Sequence, residues 1–90
     1  MKHSQPKFQI SNVQIFLEDT YVIIRDYNET DKSIKLNNVD LENFIQMLRE
    51  SGDCDFPLFT TYGDLIIYNK NKEEVINMLN RHSEVLELIS

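Results

Sequence analysis

The chain has 90 residues, 41% of them apolar, and its 15 Asp and Glu against 9 Lys and Arg give a net charge of −6. A chain this short hides roughly 60–65% of its unfolded surface, enough for one modest core, and its apolar content argues against disorder. No run approaches the roughly 20 apolar residues of a membrane span, and the acidic balance disfavours nucleic acid or an anionic membrane as a direct partner while steering the chain towards basic protein surfaces.

The start, residues 1–6, is polar and reads as a flexible lead-in to one α+β domain over residues 1–90. MKHSQPKF carries no apolar leader, and a single cysteine, Cys54, can form no internal disulfide. Together these predict a cytosolic setting. Phe8 and Ile10 alternate with polar neighbours, and Ser11-Asn12 break the pattern as a bulge or turn. Val13, Ile15 and Leu17 then mark one face of a strand, with Gln14, Phe16 and Glu18 on the other. Glu18-Asp19-Thr20 is a polar turn, and Tyr21-Val22-Ile23-Ile24 is the β-branched return strand. After a turn over Asn28 to Asp31, Ile34 and Leu36 make a third short strand.

Leu41, Phe44, Ile45 and Leu48 repeat at the spacing of one buried helical stripe. That helix is expected to begin near Asn38 or Asp40, either of which can cap it, and Gly52 supplies its left-handed end. Pro57 suits an edge strand, Leu58 to Thr61 continue it, Tyr62-Gly63-Asp64 turn, and Leu65 to Tyr68 return. A second helix follows from Lys72 to about Leu88, with Asn71 and Glu74 as a capping box. Its stripe is Val75, Leu79, His82, Leu86 and Ile89, widened by Ile76, Met78 and Val85.

The quartet Ile45-Gln46-Met47-Leu48 returns as Ile76-Asn77-Met78-Leu79, and Ile23-Ile24 returns as Ile66-Ile67. The order β-β-(β)-α then β-β-α is therefore compatible with an internal duplication, the first copy expanded within Tyr27 to Asn38. The expected fold is an antiparallel sheet of about five strands with both helices on one face. Two strands are apolar at consecutive positions, so the second face is expected to need cover from a second copy or a partner. Phe16, Tyr21, Phe59, Tyr62 and Tyr68 are the candidate residues for it.

Chemistry-bearing patterns are sparse. His3 and His82 lie far apart in the chain, and His82 falls on a helical stripe. Asp26-x-Asn28-x-Thr30 has the opening of a calcium loop, but Asp31 stands where such a loop needs glycine and Asn37 where it needs glutamate. Cys54 sits between Asp53 and Asp55, which disfavour its thiolate. Two glycines, Gly52 and Gly63, are too few for a phosphate loop. No catalytic residue, cofactor or metal is expected. Carboxylates do gather at turns: Glu18-Asp19, Asp26-Glu29-Asp31, Glu50-Asp53-Asp55 and Asp64. The sequence thus predicts a non-enzymatic acidic protein-binding module. It would be an inhibitor that blocks a basic, nucleic-acid-binding surface of a larger protein, in the manner of small phage anti-defence proteins. The alternatives are a toxin-neutralising immunity protein or a homodimeric structural or adaptor protein. Glu18, Asp19, Asp53, Asp55 and Asp64 are the expected charge contacts, and Tyr62 and Tyr68 the expected aromatic ones.

Overall fold

The computed structural model describes residues 7–89. The expected flexible start and His3 lie outside the described residues, as do the side chains of Lys7 and Ile89. Among the described residues the chain forms six strands, two α-helices and one 3₁₀ turn, an α+β fold. Strands β1 (Lys7–Ile10), β2 (Val13–Leu17), β3 (Tyr21–Asp26) and β4 (Ser33–Asn37) make an antiparallel meander in chain order. Helix α1 (Asn38–Glu50) follows, then the hairpin of β5 (Phe56–Thr60) and β6 (Gly63–Ile67). The 3₁₀ turn Asn69–Asn71 leads into α2 (Lys72–Ile89).

The strands divide four and two instead of forming one sheet of about five. The hairpin meets the meander through turns and side chains, not through a ladder. Asn12 at the β1–β2 turn donates its Nδ2–H to Ile66 O at 2.8 Å, and the Lys32 stem passes Gly63 at the hairpin tip. The β1–β2 turn and the β3–β4 loop lie at one end of the meander, since Tyr27 N–H donates to Asn12 O at 2.7 Å. The hairpin lies against that end.

Register sorts the side chains. Phe8 with Ile15 and Ile10 with Val13, then Ile15 with Ile24 and Leu17 with Val22, then Val22 with Leu36 and Ile24 with Ile34, share the inner face. Leu58 opposite Leu65 and Phe56 opposite Ile67 give the hairpin its own inner face. Helix α1 buries Leu41, Phe44, Ile45 and Leu48, the stripe the spacing predicts. Helix α2 buries Val75, Leu79 and Leu86. All of these but Phe8, which is 44% exposed, join or pack against one core, and Phe44 meets Phe56 edge to face at 6.1 Å, tying α1 to the hairpin. The two helices run antiparallel: Lys72 at the start of α2 reaches Ser51 just past α1, while Ser83 and Leu86 share a hollow with Asn38 and Leu41.

Both helices begin where the sequence places them, α1 at Asn38 and α2 at Lys72, but their capping departs from the expectation. The residue before α1 is Asn37, and it makes no side-chain cap. Asn38 N–H donates instead to Thr20 O at 3.3 Å, and Asn38 Nδ2 to Asp19 O at 3.3 Å. A neighbouring turn thus satisfies an orphan donor that a local cap was expected to take. Before α2, Asp55 accepts the Asn69 N–H at 2.9 Å, so a carboxylate from an earlier loop sits at the head of the 3₁₀ turn. Asn71 Nδ2 has no hydrogen-bond partner. The expected glycine end of α1 is present, with Gly52 at φ +77°.

Candidate functional site

The outer face of the meander carries Gln14 and Phe16 of β2, Tyr21, Ile23 and Arg25 of β3, and Lys35 of β4. Its two aromatic residues are half-buried under the protein's own cations. The Arg25 guanidinium carbon stands 4.7 Å from the Phe16 ring centroid, and its Nε and Nη2 donate to Gln14 Oε1 at 3.2 and 2.8 Å. Lys35 Nζ stands 4.5 Å from the Tyr21 ring centroid. These are diagonal cross-strand neighbours, the geometry in which long side chains reach adjacent rings. Of the five aromatic residues expected on the second face, Phe16 and Tyr21 are thus half-buried, with the Arg25 guanidinium and the Lys35 amine over their rings.

The outer face of the hairpin is built differently. Phe59 pairs with Asp64 and Pro57 with Ile66 across the two strands. The ladder ends at Phe56 and Ile67, and one residue beyond it the Asp55 carboxylate accepts the Asn69 N–H, which brings it beside Tyr68. The face thus carries Pro57 and Phe59 along one edge and Ile66 and Asp64 along the other, with Asp55 and Tyr68 flanking its open end. Phe59 is 79% exposed and Tyr68 40%. Tyr62, in the turn, is 66% exposed and shares a hollow with Glu29, Asp31 and Lys32 of the β3–β4 loop. No cation stacks on Phe59, Tyr62 or Tyr68 among the described residues.

Local sequence explains the hairpin's shape. Gly63 takes φ +125°, outside the range comfortable for a side chain, and an added Cβ would lie 3.0 Å from Lys32 Cε. The Thr60 hydroxyl donates to Gly63 O at 2.6 Å and accepts the Tyr62 N–H at 3.2 Å, which locks the turn and holds Tyr62 outward. Lys32 pairs with Glu29, and this hydrogen bond, with Asp26 and Asp64 nearby, holds its amine above the ordinary lysine value. Asp26 accepts the N–H groups of Asn28 and Glu29 at 3.0 and 2.7 Å, ordering the loop beside the tip.

The structure brings some of the expected site residues together and separates others. Asp55, Asp64, Tyr62 and Tyr68 belong to the hairpin and its flanks. Asp53 lines a different hollow of about 450 Å³ between the end of α1 and the start of α2, with Lys72 and Glu73. Glu18 and Asp19 lie at the opposite end of the meander, where His82 Nε2–H donates to Glu18 O at 2.9 Å. The role of Lys72 escaped the sequence reading. Lys72 is buried and donates to Ser51 Oγ at 2.6 Å and Gly52 O at 2.7 Å, closing the carbonyl end of α1. Phe59 was only one of five aromatic candidates. Its position directly opposite Asp64 depends on register, which single-strand alternation does not supply.

Among the described residues no group of His, Cys, Asp and Glu is placed to hold a metal, and no helix is long and apolar enough to cross a membrane. Comparison with family models, with curated proteins and with solved structures found no match.

Proposed function

We propose that the chain is a non-enzymatic protein-binding module that docks through the outer face of the β5–β6 hairpin onto a basic surface of a larger protein and blocks it. The observation that carries this reading is the placing of exposed aromatic side chains next to carboxylates: Phe59 paired with Asp64 across the strands, and Tyr68 next to Asn69, whose N–H is held by Asp55. Exposed rings on a rigid hairpin bury large area at small entropic cost, and adjacent carboxylates speed encounter with a basic partner and set its orientation. An inhibitor of a nucleic-acid-binding groove is one protein of this type, because such a groove is lined with cations.

Immobilised protein challenged with lysate of the source organism at low and moderate salt tests the reading. Wild type is expected to retain a partner that Phe59→Ala/Tyr68→Ala loses and that Asp55→Asn/Asp64→Asn releases at lower salt. A partner held equally by all three proteins sinks it.

A homodimer is a second reading, favoured by a separate feature. Strand β1 is an edge strand of the meander, and between it and α2 runs a mainly apolar groove of about 550 Å³ lined by Phe8, Leu17, Met78 and Val85. Sedimentation at micromolar concentration decides it: a single monomeric species removes the homodimer.

A further inference from the structure

The two outer faces suggest what the hairpin receives. On the meander, Phe16 is covered by a guanidinium that also donates to an acceptor beside it, Gln14. On the hairpin, each ring again has an oxygen acceptor nearby, Asp64 across the strand from Phe59 and Asp55, bonded to the Asn69 N–H, beside Tyr68, but among the described residues no cation lies over either ring. The acceptors are now charged. A ring with a carboxylate beside it is complementary to a guanidinium, whose planar face stacks while its N–H fork reaches the carboxylate. Lys32, the cation at the tip, is engaged with Glu29, and the amine of Lys72 is turned to Ser51 and Gly52.

Resting on the protein-binding reading above, we infer that the outer face of β5–β6 receives two arginine side chains from one extended segment of the partner. One sits at Phe59 and Asp64, the other at Tyr68 and Asp55. The two ring–acid pairs are separated by the length of Asp55 to Phe59 along β5. At about 3.3 Å per residue that is roughly 13 Å. Two arginines with three residues between them, in an extended chain, match this span and project to the same side. The middle residue of that segment faces Pro57 and half-buried Ile66, so it is apolar. Tyr62 and the Asp31 carboxylate share a hollow beyond the tip and extend the same preference outward.

The peptide acetyl-Arg-Thr-Val-Thr-Arg-amide, titrated into the ¹⁵N-labelled full chain, probes this directly. Amide shifts are expected to concentrate in residues 55–68. Affinity should fall about tenfold when both arginines become citrulline, which keeps the shape and loses the charge. It should also fall when they become lysine, which cannot stack and fork together. Phe59→Leu and Asp64→Asn, both at exposed positions and so expected to keep the wild-type spectrum, should each weaken binding several-fold. Shifts spread equally over the Glu18-Asp19 turn, equal binding of the citrulline or lysine peptide, or no shift in residues 55–68 at millimolar peptide would overturn the arginine assignment. None of these results bears on whether the hairpin variants lose their protein partner, so the two readings fail separately.

Discussion

The outer face of the meander and the outer face of the hairpin start from similar material: each has aromatic side chains in register with long or charged neighbours. On the meander those neighbours are Arg25 and Lys35, and they fold down over Phe16 and Tyr21. On the hairpin they are Asp64 and Asp55, too short to cover a ring and repelled by its negative face, so Phe59 and Tyr68 stay open. The sign and length of one cross-strand neighbour decide whether an aromatic becomes part of the fold or part of a surface.

Four measurements break or sharpen that contrast, taken from the largest expected effect to the smallest. Leu65 is fully buried on the hairpin's inner face, so Leu65→Ala should cost about 2–5 kcal/mol in urea unfolding. If that change proves nearly neutral, the hairpin is not docked as described. Next, Arg25→Ala removes the guanidinium from over Phe16 and takes the Arg25 donors from the buried Gln14 amide oxygen. A loss of about 1–2 kcal/mol is expected, with new dye-binding apolar surface. An unchanged dye signal would mean that the meander face is closed by something other than Arg25. Phe59→Ala should then shift stability by no more than about 0.5 kcal/mol, because the ring is mostly in solvent. A larger loss would move Phe59 from surface to core.

The smallest effect is in pH. The Glu29 hydrogen bond raises the Lys32 amine above its ordinary 10.5. A raised folded value means that this contribution is fully present below 10.5 and fades only as pH climbs through the higher folded value. The Gly63 amide shift, reporting the tip beside Lys32, should therefore stay flat between about pH 7 and about pH 9 and move only above 10.5. Movement near neutrality would assign the tip's electrostatics to another group.

Much of the architecture was legible in the residues. The strand at Val13 to Leu17, the stripe Leu41-Phe44-Ile45-Leu48 and the glycine stop at Gly52 all follow from spacing and from one residue's permitted φ. The groups that satisfy the helix ends were less legible, because Thr20 and Asp55, the partners of Asn38 and Asn69, come from distant turns. The division into a meander and a separate hairpin was also hidden, since strand patterns carry no record of which strands pair.

The candidate site divides along the same line. The residue types of a binding surface, exposed tyrosines and carboxylates at turns, were present in the sequence, and so was the net charge of −6 that favours a basic partner. What determined their arrangement was the antiparallel register of β5 and β6, which sets Phe59 against Asp64 and carries Tyr68 to Asp55 while leaving Glu18 and Asp19 at the far end of the molecule. Local patterning records which face of a strand a residue occupies. Only the pairing of strands records which residue it faces, and on that neighbour depends whether a ring is covered or left open.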